Sequence, residues 1–273
     1  MKRRLVVMLS LAAAGGIGAC GHGQIARTYT QPPQQDLLSA FKARQAATQS
    51  LNLETRTTSW LGGERIRATV LMLVQRQGKL RFEAEVSLKG TVAALTTDGD
   101  SFALLDMDRN EFKQGPACPQ NVASLVRIPL APHEIAAIWL GDAPLGEKDT
   151  FVSADWDGVL GAERLTFATS RSGQLRVLMR KLPRGWAVVG VEGYASNAAG
   201  NKGWWRVRYE ELTPVQGVYF PGVIRFAEPN ASFDDGVEIK IKDRRINPDI
   251  PDASFHLSPP ANVTVQNVSC GTP

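Results

Sequence analysis

Histidine, cysteine and long apolar runs are all scarce in this chain, and each shortage removes a class of function. Only three histidines occur in 273 residues. His133-Glu134-Ile135-Ala136-Ala137 begins like the zinc motif H-E-x-x-H, but Ala137 stands where the second ligand must sit on the same helical face. Asp106-Met107-Asp108-Arg109-Asn110 opens like a calcium loop, yet Glu111 occupies the position that needs Gly and Ala117 the one that needs a bidentate Glu. Ser39-Ala40-Phe41-Lys42 fits the acyl-transfer pattern S-x-x-K with no S-D-N or K-T-G to follow. There is no G-x-S-x-G elbow and no phosphate loop. Gly16-Ile17-Gly18-Ala19-Cys20-Gly21 satisfies G-x-G-x-x-G, but no strand precedes it and no βαβ unit follows. This inventory predicts no metal, no cofactor and no catalytic residue: a binding protein, not an enzyme. An excess of charge is missing too. Lys2, Arg3 and Arg4 set aside, 28 basic residues face 27 acidic ones, which excludes nucleic acid as a partner on electrostatic grounds.

No apolar run reaches the ~20 residues that a membrane-spanning helix needs. What the N-terminus does carry is a leader: the cations at 2–4, an apolar stretch from Leu5 to Ala14, then small residues before a cysteine. Ile17-Gly18-Ala19-Cys20 resembles the bacterial lipobox, in which the cysteine thiol takes up diacylglycerol and becomes the new N-terminus. The alternative is an ordinary secretory signal cut at Ala19, with Cys20 left free. On the lipobox reading, residues 1–19 are a signal peptide, residues 20–35 a polar tether and residues 36–273 one domain. Gly21 follows the acylated Cys20, and by resemblance to Gram-negative sorting rules it directs the protein to the outer membrane, facing the periplasm. Acylation of Cys20 leaves Cys118 and Cys270 as an even pair in an oxidising compartment, where they are expected to bond; two unrelated thiols are the alternative.

Past the tether, Asp36 is a candidate N-cap for a helix over Leu37–Gln49, with Leu37, Leu38, Ala40 and Phe41 as its apolar stripe. The period then changes to two. From Lys79 to Lys89, the apolar residues Leu80, Phe82, Ala84, Val86 and Leu88 alternate with polar neighbours, and Ile66 to Val74 gives the strand before it, joined through Gln77-Gly78. Further strands are expected near 92–97, 101–106, 111–113, 150–155, 164–169, 174–181, 186–194, 204–210, 219–228 and 237–244. Two short helices, Asn121–Val126 and His133–Leu140, interrupt them between prolines. The predicted fold is mainly β: one antiparallel, strongly curved sheet of about ten to eleven strands, an unclosed half-barrel, with the N-terminal helix and the two mid-chain helices as lid. Such a sheet must cover its apolar concave face, and three short helices leave room for a cavity. A sandwich or roll with a full core fits the same periodicity.

The order of these features carries a resemblance: lipobox, tether, one amphipathic helix, Glu64-Arg65-Ile66-Arg67, Gly78-Lys79-Leu80-Arg81-Phe82-Glu83, Thr97-Asp98-Gly99-Asp100, and a helical pair ending Trp139-Leu140-Gly141. The tail from Asn247 to Pro260 has the pattern N-x-x-x-x-D-x-x-F before a proline. Together they resemble the LolA/LolB superfamily of lipoprotein carriers, combining a LolB-like anchor with a LolA-like tail. The resemblance implies a half-barrel with a helical lid that binds acyl chains of lipoproteins or other lipids without covalent chemistry, in contact with the membrane through its anchor and with a periplasmic carrier protein. On that reading Met72, Val74, Phe82, Val86 and Leu88 line the cavity, and Leu38, Phe41 and Trp139 close it. The competing class is an envelope-assembly lipoprotein with a filled core that binds a protein partner. Of the adjacent pair Trp204 and Trp205, alternation sends one inward and one outward.

Overall fold

The computed structural model describes residues 24–60, 65–86, 90–126, 128, 130–169, 173–197, 200–228 and 230–270, with backbone alone at 86, 125–126, 195–197 and 200–204. The leader and Cys20 lie outside the described residues, as does Leu88.

Helix α1 (Gln34–Ala47) starts one turn earlier than its apolar stripe suggests. Pro33 is the N-cap, because proline cannot donate and its fixed φ suits a helix start. Asp36, the expected cap, sits in the first turn, where its charge meets the helix N-terminus. Leu37, Phe41 and Arg44 fall on one face and are buried.

After α1 the chain forms β1 (Ser50–Ser59), β2 (Ile66–Gln75), β3 (Lys79–Val86), β4 (Gly90–Thr97), β5 (Ser101–Asp106) and β6 (Glu111–Pro116) as an antiparallel meander. Helices α2 (Pro119–Val126) and α3 (Pro132–Trp139) then carry it to the far side of the sheet. There β7 (Thr150–Asp157), β8 (Ala162–Ala168), β9 (Gly173–Leu182), β10 (Gly185–Asn197) and β11 (Gly200–Glu210) form a second meander. A small hairpin, β12 (Thr213–Val215) with β13 (Val218–Phe220), precedes β14 (Val223–Ala227) and β15 (Val237–Ile246), and β15 pairs with β1 to join the two halves. The last strand, β16 (Thr264–Asn267), lies parallel to β6; every other pairing is antiparallel.

The result is one sheet of 14 strands, in the order β16-β6-β5-β4-β3-β2-β1-β15-β14-β11-β10-β9-β8-β7. It is curved and unclosed, since β16 and β7 are free edges. The expected ten to eleven antiparallel strands are therefore corrected to a larger, mixed sheet. Two causes account for the difference. On β1 the inward residues run Leu51, Leu53, Thr55, Thr57, Ser59, so the alternation in hydropathy fades halfway along. Pairing with β2 and β15 holds the strand, and the Thr55 hydroxyl donates to the Val70 carbonyl at 3.1 Å. β16, at four residues, takes its structure from β6 rather than from its own pattern.

All three helices pack on the inner face, which holds the main core. The C-terminal segment crosses to the outer face of β3–β6. Asn247 accepts from the Gln49 N–H at 2.8 Å and donates to the Ala47 carbonyl at 2.8 Å, stitching the end of α1 to the start of β1. Asp252 pairs with Lys79 at 2.6 Å, and Phe255 is buried. Beyond β16 the sulfurs of Cys118 and Cys270 lie at bonding distance, with Cα atoms 6.0 Å apart across 152 residues of chain. The three named positions of the tail pattern thus fasten helix, strand and outer face in turn.

Candidate functional site

The inner face is not uniformly filled. Over β8–β11 it is solid: Phe41 of α1 packs on Phe167, Phe151 meets Phe167 edge-on at 5.7 Å, and Trp205 lies over Gly193, where a Cβ would come within 2.6 Å of the indole. Trp205 is the inward member of the tryptophan pair; the Trp204 side chain is not among those described.

Over β1–β4 and β15 the same face is hollow. A cavity of about 280 Å³ is lined by Thr57, Ala68, Val70, Met72, Phe82 and Ala84 along the strands, with Val237 and Ile239 from β15. Ser124, Ile128 and Trp139 from the helical region form its roof. Trp139 leans on Phe82 with ring centres 5.9 Å apart. The exposed lining residues are Ile66, 42% exposed at the end of the sheet that carries the β1–β2 connection, and Ser124 of the roof, and the cavity reaches the surface between them. Small side chains explain the hollow. Ala68, Ala84 and Ala93 face inward on neighbouring strands, where larger residues would meet the helices.

A buried polar node fixes the roof. The last carbonyls of a helix have no partner within it, and after α3 those of Leu140 and Gly141 point at the Arg44 guanidinium of α1. Nε donates to Gly141 O at 3.0 Å, and Nη2 donates to Leu140 O at 2.9 Å and Gly141 O at 2.6 Å. Gly141, at φ +73°, gives the room: a Cβ there would strike Arg44 Nη2. Tyr209 of β11 lies with its hydroxyl 3.0 Å from Ile138 O and 2.8 Å from Asp142 O. Arg76, in the β2–β3 turn, donates to Asp142 Oδ2 at 2.9 Å and to Thr48 O at 2.8 Å. Burial pushes the Asp142 carboxyl up, against the opposing pull of Arg44 and Arg76, and burial pulls the Arg44 guanidinium down. Two helices, strand β11 and the β2–β3 turn thus meet at one cluster, and a tilt of α3 would break its bonds.

The segment before α1 is not a free tether. Its Ile25 N–H donates to Gly158 O at 2.7 Å, and Trp156 Nε1 donates to Ile25 O at 2.9 Å. Arg27 pairs with Glu163, which is 2% exposed, at 2.8 Å. Tyr29 packs edge-on against Trp156 and Trp186 at 6.0 and 5.7 Å. The segment lies against the inner face of β7–β10.

Of the residues expected at the site, Met72, Phe82 and Trp139 line the cavity. Val74 is wholly buried at the other end of β2, next to Leu80, and Phe41 belongs to the solid half. Leu38 is half-buried against the core and does not touch the cavity. The Val86 side chain is not among those described. Thr57, Ala68, Val70, Ala84, Val237 and Ile239 are among the lining residues not foreseen, as are Ser124 and Ile128 in the roof, although strand parity with Met72 and Phe82 placed Ala68, Val70 and Ala84 on the same face.

No protein-family model matches the chain, and no curated protein matches it. Solved structures do. A structure described as an outer membrane lipoprotein-sorting protein domain from Vibrio parahaemolyticus overlays with a TM-score of 0.55 at 11% identity, covering 80% of this chain and 95% of that one. A LolA superfamily protein from Nitrosomonas europaea gives 0.54 at 12% identity, over 81% and 97% of the two chains. A DUF1329 family protein from Desulfovibrio piger gives 0.55 at 10% identity, over 81% and 97%. Overlap of this extent, with the curved open sheet and its inner helices, shows that the chain has a LolA-like fold.

Proposed function

We propose that the protein is an outer-membrane lipoprotein, anchored through Cys20 and facing the periplasm, that binds an acyl chain of a lipid or lipoprotein in the cavity beneath α3 and serves lipoprotein transport. The observation that carries this is the hollow itself: mostly apolar side chains on five neighbouring strands, β1–β4 and β15, surround about 280 Å³ that the chain does not fill. That volume lies just below the ~300–1,000 Å³ typical of ligand pockets, so it suits one chain rather than several. Each methylene moved from water brings about 0.8 kcal/mol, and ten bring roughly 8 kcal/mol before ordering costs. Moved from another greasy site, the same chain gains almost nothing, and that near-equality makes reversible hand-over possible without a covalent step. Lipoproteins delivered by a periplasmic carrier are the occupants this reading favours.

Ala84→Phe tests it. A phenyl ring on β3 projects into the hollow, so stability is expected to change by no more than ~1–3 kcal/mol. Uptake of a fluorescent fatty acid, displaceable by a lipopeptide in the parent protein, is expected to fall about tenfold, the effect of ~1.4 kcal/mol of lost binding. No uptake by the parent protein sinks the proposal. It leaves the reading favoured by the solid packing around Phe41, Phe167 and Trp205, an envelope-assembly lipoprotein that binds a protein partner.

A further inference from the structure

The acyl anchor and the docked segment constrain each other. Only three residues lie between Cys20 and Gln24, and the four steps of chain that join them span at most about 14 Å when fully extended. Gln24 packs beside Gly158, and Ile25 is bonded to it, so the chain leaves the fold at the turn between β7 and β8. Lipid attached at Cys20 therefore enters the bilayer within reach of this turn. We propose that the β7–β8 turn, with Ile25 lying on it, rests on the phospholipid surface and sets the orientation of the whole domain.

The surface there has the chemistry for it. Ile25 is 51% exposed and Val159 66%, two large apolar side chains left half or more exposed at the same turn. Beside them Trp156 lies half-buried, its indole N–H donating to Ile25 O, in the amphipathic setting that indoles take at a membrane interface. The end of β9 and the β9–β10 turn share this end of the sheet and present exposed Arg180, Lys181 and Arg184. Cations so placed are attracted to anionic headgroups at a charged leaflet. Arg180 also donates to Leu160 O at 2.8 Å, which holds the turn in shape.

One consequence concerns the cavity. The Ile66 side of its mouth belongs to the opposite end of the strands, with the β1–β2 and β5–β6 connections. A domain seated on the β7–β8 turn points that mouth away from its own membrane, so the occupant arrives from the aqueous side. The inference rests on acylation of Cys20, and it is independent of whether the cavity takes up lipid.

The test uses the mature lipidated protein in vesicles of phosphatidylethanolamine and phosphatidylglycerol that contain a headgroup-quencher lipid. A fluorophore is attached to Val159→Cys or to Met107→Cys; both positions are exposed, and Met107 lies in the β5–β6 turn. The Val159 label is expected to be quenched severalfold and the Met107 label to match the protein free in solution. Equal quenching of the two labels, or stronger quenching at Met107, overturns the proposal. Mass spectrometry of the same preparation reports acylation: a mature chain without lipid at Cys20 removes the anchor and this orientation together. A lipidated chain with an unquenched Val159 label overturns the orientation alone. Fatty-acid uptake in that sample reports on the cavity separately.

Discussion

Arg44 ties α1 to the end of α3 on the inner face. It is buried, it satisfies two carbonyls that α3 leaves open, and it does so from a different helix. Removing it strands those carbonyls without water and leaves Asp142 with Arg76 as its near cation. Arg44→Ala is expected to cost about 2–3 kcal/mol, the usual penalty for orphaned buried partners. At ~2–4 °C per kcal/mol for a chain of this size, the melting temperature should fall by roughly 5–10 °C. Arg44→Lys keeps a charge but lacks the planar fork, and should fall between the two. Stopped-flow exchange of a bound fluorescent fatty acid supplies the functional readout: if α3 is the gate, exchange accelerates severalfold in Arg44→Ala while affinity changes little. A variant that melts early yet exchanges at the parent rate shows that the occupant enters without moving α3.

At the scale of elements, the segment 24–31 behaves as a strap whose hold depends on pH. Burial first, and then the Glu163 carboxylate, push the Tyr29 phenol up to about 12 from its ordinary 10.0. The strapped state therefore keeps a proton that the released segment gives up, and the contribution of Tyr29 is full below pH 10 and lost as the pH rises towards 12. A joint titration of phenolate absorbance and of tryptophan emission should show a step in that window that Tyr29→Phe abolishes. A Tyr29 step at pH 10 without change in tryptophan emission contradicts the strap.

The same scale shows what was legible in the sequence. The faultless alternation of β3 and the one consistently apolar face of β2 made these strands readable to within a residue or two at most ends, and α2 and α3 were readable as closely between their prolines. β1 was not, because its inward face turns from leucine to threonine and serine, and only its two neighbours reveal it as a strand. The strap was not either: Gly21–Gln35 reads as polar linker by composition, and what docks it is a set of contacts from Arg27 to Glu163 and from Tyr29 to Trp156, more than a hundred residues away. Of the site, the facing of Met72 and Phe82 followed from parity. Which half of the inner face is hollow did not, because that depends on Phe41 reaching one half while alanines line the other.

For the molecule as a whole, this division into a solid half and a hollow half has a dynamic consequence. Strands β8–β11 hold large buried rings, among them Phe167 and Trp205, and can open only with the loss of that packing. Strands β2–β4 have an alanine-lined cavity on one face and rely on α3 for cover. Amide exchange in water should therefore be slower in β8–β10 than in β2–β4, since local opening is easiest where few apolar contacts are lost. Adding a fatty acid at saturation is expected to slow exchange in β2, β3, β4 and α3, and to leave β8–β10 as it was. Stabilisation at a hundredfold excess over the dissociation constant amounts to about 2.7 kcal/mol, and it should show in the strands the ligand touches. If protection rises evenly through all 14 strands, the sheet opens as a single unit and the cavity does not act as a separately mobile part. If protection rises in β8–β10 alone, the occupant binds on the solid side, against every feature of the lining described above.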